Sequence, residues 1–516
     1  MGQGALRMGQ GLSNAGDVIR TAALPAGPLI GWLVYASLGA TDLEHEPRAV
    51  AASAVWMAVW WMTEAVPLAA TSLLPLVLFP ALQVLEMPDA ASPYAHPLVG
   101  LFFGGFILGL AVEKWGLHRR LSLATVLLVG TRPTRLIAGF MLATAVMSMF
   151  ISNTATALMM LPIATSVIML LERMGQTHAN FGPALLLGIA YAASIGGTAT
   201  ITGTQPNILT VGFLRDKGID ISWRGWLPFG LTLCAIMLPL TWLLLTRVTL
   251  PIRVAAIPGV RELLREELAK LGRVSRGEWT VLAVFACVAG GWIFRGGVQS
   301  WLDGQGLLAA AKTLDTLGDT GVVMIGAIAL FALPVSLRDR TFAMDWTAAK
   351  GMPWEVLLLF GGGLSLAAAM KASGLDQWIG QQMGGLGGVP TWLLIGIIAI
   401  CVVFLTELTS NTATTAALVP VLGSAADGLG VHPLLLMLPA GVVASYAFML
   451  PVATPPNAIV FSSGRLRIPQ MAKAGVLMNL LGAIVVAAIV ATVADDLLGV
   501  DLATPQIDTT ALSRGG

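Results

Sequence analysis

Two copies of one short motif offer the clearest chemistry in this chain. Ser152-Asn153-Thr154-Ala155-Thr156 recurs as Ser410-Asn411-Thr412-Ala413-Thr414, 258 residues later. Each copy interrupts an apolar stretch too long for one membrane helix, 136–171 and 391–425. A helix that begins at such a break turns free N–H groups, its positive dipole end and three capping side chains toward the break, a setting that favours a carboxylate. The helix that ends there offers unpaired carbonyls. With the Ser hydroxyl and Asn amide oxygen, these make a hard neutral ligand set for an alkali cation. Residues 136–172 and 391–464 contain no Lys or Arg, so an anion held there has no side-chain counter-ion. An unpaired charge out of water is very costly, and co-bound cations, most simply sodium, would supply the missing charge. Protons are the weaker choice, because Glu407 is the one acid beside the tips and sodium needs only oxygens already present.

Other chemistries find less support. A hydrolytic Ser152 or Ser410 would need a His or Lys base, and His45, His96, His118, His178 and His432 mostly fall in expected loops without a motif around them. The chain is therefore expected not to be an enzyme. An anion channel would use rings of Arg or Lys, which these segments lack. Cys234, Cys287 and Cys401 lie far apart in apolar runs and read as packing residues.

The elements that position the motifs follow from composition. Of 516 residues 56% are hydrophobic, charged side chains make up 11%, and the mean hydropathy is +0.81. That excludes an ordinary soluble protein and points to helices in a lipid bilayer. A formal net charge of +1 without a basic stripe excludes nucleic acid as a partner. Lys and Arg between the apolar runs place the N-terminus in the cytoplasm and the C-terminus outside, with 214–224 (Arg215, Lys217, Arg224) as the one misfit. The expected organisation begins with a cytoplasmic tail at 1–22, scaffold and first-repeat entry helices over 23–115, and a hairpin plus broken helix over 136–213. Scaffold helices over 225–336 follow, with a cytoplasmic linker at 250–277. A second hairpin plus broken helix spans 353–463, then a last helix at 472–496 and an external tail at 497–516. This is an all-α polytopic membrane protein of about eleven transmembrane helices plus two re-entrant hairpins.

An internal repeat organises these elements. Phe103-Gly104-Gly105 recurs as Phe360-Gly361-Gly362, and Thr204-Gln205-Pro206-Asn207 as Thr454-Pro455-Pro456-Asn457, in the same order as the Ser-Asn-Thr pair. The two halves have opposite expected orientation, the inverted repeat of secondary transporters.

Ser445-x-x-Phe448-x-x-Pro451-Val452-Ala453-x-x-x-Asn457-x-Ile459-Val460, the two Ser-Asn-Thr tips, Trp60-Trp61-Met62-Thr63-Glu64-Ala65-Val66-Pro67 and Phe102-Phe103-Gly104-Gly105-Phe106 together resemble the divalent anion–sodium symporter family. The likeness covers roughly residues 20–496. It implies sodium-coupled transport of C4-dicarboxylates such as succinate, malate and fumarate, across a bacterial-type cytoplasmic membrane, by a homodimer with an elevator-type mobile domain. It implies two sodium sites: Ser148, Ser152, Asn153 and Gly203, and Thr406, Ser410, Asn411 and Ala453. Substrate carboxylates would contact Asn153, Thr154, Thr204, Asn411, Thr412 and Pro455. One departure is His96, where the family commonly has Asn. At the substrate it would supply positive charge, as in sodium-independent exchangers. The segments 116–134 and 250–277 are the candidate linkers between scaffold and mobile domain.

Overall fold

Proline and glycine punctuate an otherwise continuous apolar chain, and in the computed structural model they set most helix boundaries. The structure describes residues 2–173, 179–252, 259–383, 388–500 and 502, with side chains from residue 18 onward. His178, Arg253 and nearly all of the 497–516 tail lie outside the described residues.

The first re-entrant hairpin is built from Pro133–Ser148 and Asn153–Arg173. Pro133 supplies a helical φ where an N–H would go unused, and the Ser152 hydroxyl accepts from Ala155 N at 3.2 Å to open the second arm. The second hairpin repeats the design with Thr391–Leu405 after Pro390, then Asn411–Leu429, closed by Gly430 at φ 67°. Each hairpin is followed by a broken helix. Phe181–Gly197 and Gln205–Asp216 flank an irregular segment containing a short 3₁₀ turn, Ile201–Gly203. Leu434–Val443 and Pro455–Ser462 flank the second irregular segment, at 444–454.

The repeat extends over whole elements. Pro97–Lys114 and Leu117–Val129 precede the first hairpin as Trp354–Ser373 and Leu375–Met383 precede the second. Trp223–Leu243 and Ile468–Thr492 follow the two broken helices. The halves interlock, since Gln205–Asp216 packs on the second hairpin's outer arm and Pro455–Ser462 on the first's. Ion pairs close both crossings: Lys217 with Asp427 at 2.5 Å, and Arg465 with Glu172. Around this body, Arg276–Gly304 and Leu308–Ala332 expose Trp279, Phe294, Trp301, Ile325 and Ile328, apolar surface suited to lipid.

Eight helices among the described residues are long and apolar enough to cross a membrane, and shorter apolar helices include the first arms of both hairpins and both broken helices, Pro133–Ser148, Thr391–Leu405, Phe181–Gly197 and Leu434–Val443. The expected fold class therefore holds, with a two-stranded hairpin, Pro334–Ser336 with Thr341–Phe342, as a small addition.

Three local details add to this. The first helix runs from Gly2 to Leu38, so residues 2–22 are helical. The apolar run over 67–83 is split into Leu68–Thr71 and Leu74–Ala81. Trp61 is fully buried with its indole donating to Ser72 Oγ at 3.1 Å, while Trp60 donates to Ala23 O and Leu24 O. These indoles join elements.

The linker segments meet on one side of the molecule. Leu117–Val129 packs on Val260–Lys270, and Arg120 ties them to the scaffold by bonding Glu278 Oε1 at 2.7 Å and the carbonyls of Leu271 and Gly272 at 3.2 and 3.0 Å.

Close backbone approach requires glycine at several positions in the core, Gly196 and Gly475 among them. A Cβ on Gly196 would clash with the Ala145 backbone, and one on Gly475 with the Phe448 and Met449 backbone. Gly196→Ala and Gly475→Ala should each lower stability by about 1–3 kcal/mol, read as a reduced thermal midpoint of the detergent-solubilised protein. Gly290→Ala, which meets nothing nearby, is the control.

Candidate functional site

Both Ser-Asn-Thr tips and both irregular segments open onto one cavity of about 2750 Å³. Its wall includes Ser152, Asn153, Thr154, Gly203, Thr204 and Gln205 from one half, and Ser410, Asn411, Thr412, Ala453, Thr454 and Pro455 from the other. A cavity far above the 300–1,000 Å³ of a closed small-molecule pocket is an open vestibule. Arg20, Arg119, Glu267 and Arg467 also line it. No Lys or Arg belongs to the tips or the irregular segments themselves.

Behind each tip lies a cluster of oxygens. The Ser148 hydroxyl is buried and lies within bonding distance of Asn153 Oδ1 and of Ala193 O, the latter at 2.7 Å. Thr406 repeats this with Asn411 Oδ1 at 2.6 Å and Ala444 O at 3.0 Å. Each hydroxyl has one proton to share between two acceptors, so lone pairs remain in surplus at both places. Gly203 joins the first cluster: a Cβ on Gly197 would sit 2.8 Å from Asn153 Oδ1 and 3.1 Å from Gly203 O, so both oxygens face one cradle that only glycine leaves open. Such clusters suit a hard cation. Among the described residues, no group of three or more His, Cys, Asp or Glu is arranged to hold a metal ion.

The irregular segments keep their shape through side-chain amides. Asn207 donates to Thr198 O and Thr200 O at 3.2 and 2.9 Å, and Asn457 to Ala447 O and Leu450 O at 3.0 Å each. Both residues are buried. Backbone groups inside a membrane protein must be satisfied internally, and these two amides do so for the carbonyls that the breaks set free.

A third brace comes from Glu407, whose expected structural bonding to backbone is present together with a partner, Asn479, that the sequence did not point to. Glu407 Oε1 accepts from Met449 N at 2.8 Å and from Asn479 Nδ2 at 2.7 Å, Oε2 accepts from Leu450 N at 3.0 Å, and Asn479 Oδ1 accepts from Phe448 N at 3.1 Å. Acid and amide together hold three successive N–H groups of the unwound segment. The legible signal was an acid one residue after Thr406; its partner 72 residues away carried none.

His96 stands apart from the tips. It is not in the cavity wall; its Nδ1 accepts from Leu98 N at 3.3 Å and its ring lies 6.2 Å from that of Phe360. His118 does reach the wall, at the linker. Its Nδ1 donates to Val112 O at 3.1 Å, and burial holds its pKa below the usual histidine value.

Removing an amide brace takes one donor from each of two buried carbonyls, and Thr198 O keeps the Trp226 indole as a partner. Asn207→Ala and Asn457→Ala should each cost about 1–2 kcal/mol, measured as a lowered thermal midpoint in detergent, with Ser300→Ala as an exposed control.

A family model described as the sodium:sulfate symporter transmembrane region matches residues 22–499. The chain is 38% identical over 500 residues to the sodium-dependent dicarboxylate transporter SdcS of Staphylococcus saprophyticus subsp. saprophyticus, an alignment covering 95% of this chain and 94% of that one. It is 39% identical, with the same coverage, to the SdcS of Staphylococcus aureus. The fold is also similar to that of the Alcanivorax borkumensis YdaH transporter, with a TM-score of 0.51 at 17% identity, covering 78% of this chain and 86% of that one. With its hairpins, broken helices and repeated tips covered end to end by these matches, the chain belongs to the divalent anion–sodium symporter family.

Proposed function

We propose that this protein is a secondary active transporter that carries C4-dicarboxylates (succinate, malate or fumarate) together with sodium ions. The observation that carries the reading is the pair of mirrored oxygen clusters, Ser148/Asn153/Ala193 and Thr406/Asn411/Ala444, each behind a tip that has helix N–H groups but no cationic side chain. One carboxylate rests at each tip, and the contacts are Asn153, Thr154, Thr204, Asn411, Thr412 and Pro455. One sodium ion sits by Ser148, Ser152, Asn153 and Gly203, and a second by Thr406, Ser410, Asn411 and Ala453. Each Asn serves both guests, its amide oxygen toward the cation and its amide N–H toward the carboxylate. The names of the relatives, sodium-dependent dicarboxylate transporters, agree with this assignment.

In this reading the transporter sits in a bacterial-type cytoplasmic membrane, N-terminus inside and C-terminus outside, as a homodimer. The cavity wall includes Arg20, Arg119, Glu267 and Arg467, all from segments that the positive-inside rule places in the cytoplasm, so this conformation faces inward. The unit built from 136–213 and 353–463 would move against the scaffold in an elevator step, with 116–134 and 250–277 as linkers. The sodium-independent exchanger reading needs a positive group at the substrate. His96 lies outside the cavity wall and does not meet that need. Chemical catalysis has no place in this scheme.

Reconstituted vesicles test it. Succinate uptake should be saturable and depend on an inward sodium gradient, and Asn153→Ala and Asn411→Ala should each abolish it. Uptake only against internal dicarboxylate, without sodium, would replace this function with exchange; wild-type uptake by either variant would remove the site assignment.

A further inference from the structure

The two halves of the site differ at one wall position. Gln205 opens the helix Gln205–Asp216, and its repeat mate Pro455 opens the helix Pro455–Ser462. Gln205 reaches across the cavity to the opposite tip, where the Thr412 hydroxyl donates to Gln205 Oε1 at 3.2 Å. Pro455, on the helix that packs against the first hairpin's arm Asn153–Arg173, has neither donor nor acceptor in its side chain. Thr412 is buried and Thr154 only half-buried, as this cover implies.

The contact changes what the second tip presents. With its proton committed to Gln205, Thr412 meets a carboxylate through its backbone N–H in the first turn of the helix, while Gln205 Nε2 offers two N–H groups on the cavity wall. Resting on the transport reading above, we infer that Gln205 is a specificity residue that favours C4-dicarboxylates bearing an oxygen on the carbon next to a carboxylate, such as a 2-hydroxy acid, over the unsubstituted chain. A guest with one carboxylate at the second tip places that carbon beside Thr412 and hence beside Gln205. A hydroxyl there accepts from Nε2, whereas a methylene leaves the N–H groups to water. One such bond made in the open side of a wet cavity favours the hydroxylated guest by about tenfold or less.

The fold itself supplies a substitution that keeps the backbone. Thr204 has φ −144° and ψ 146°, and Thr454, which precedes Pro455, has φ −143° and ψ 150°. A proline at 205 therefore meets an already extended neighbour and occupies the first helical position, where its missing N–H removes no helix bond. Q205P recreates the Thr-Pro-Pro-Asn of the second half.

The test is the ratio of KM for L-malate to KM for succinate, measured in one vesicle preparation for wild type, Q205P and Q205L. The ratio should rise about five- to tenfold in both variants. If either variant falls below measurable uptake, the same ratio is read from the concentrations of malate and succinate that give half-maximal thermal stabilisation of the purified protein in sodium buffer. An unchanged ratio overturns the specificity role. Failure of wild-type protein to take up or be stabilised by either dicarboxylate overturns the transport reading instead, so the two failures are distinct.

Discussion

A doubly charged anion inside a cavity whose central walls hold no arginine or lysine is the constraint on which this structure turns. Helix N-termini give partial charges only, and two of them fall short of neutralising a dicarboxylate. The surplus of oxygen lone pairs beside Asn153 and Asn411 answers this, because a cation placed there brings full positive charge to the same amide that faces the anion. In such a site neither guest is well accommodated alone. That is the physical root of coupling: the ions are part of the binding site, and the site is complete only when all of them are present.

Irregular backbone is the means of building such a site in hydrocarbon, and several buried polar side chains serve to keep it in place. Asn207 and Asn457 hold carbonyls, Glu407 with Asn479 holds three N–H groups, and Thr200 donates to Met149 O at 2.6 Å. The repeat is faithful at the Ser-Asn-Thr tips and at the bracing amides Asn207 and Asn457, and looser elsewhere. Glu407 has Met149 as its repeat mate, and Gln205 has Pro455. Divergence at such positions lets each half hold its break differently.

Much of this was legible in the chain itself because the signals are local. The tips, prolines and glycines that break the helices sit within a few residues of the structure they cause, and their recurrence 258 residues later made them unambiguous. What stayed hidden depends on distant partners. The role of Glu407 requires Asn479, and the burial of Trp61 requires Ser72. The surroundings of His96, which accepts from Leu98 N and lies near the ring of Phe360, likewise depend on tertiary packing. That Arg120 joins Leu117–Val129 to Gly272 and to Glu278 was not visible in the sequence either.

The central claim is thermodynamic linkage between anion and cation, and equilibrium binding reads it without any transport step. Radiolabelled succinate binding to purified protein, titrated at several sodium concentrations with potassium holding ionic strength constant, should tighten steeply and by more than tenfold as sodium rises, with a slope showing more than one ion. Succinate affinity that is the same in sodium and in potassium would contradict the account.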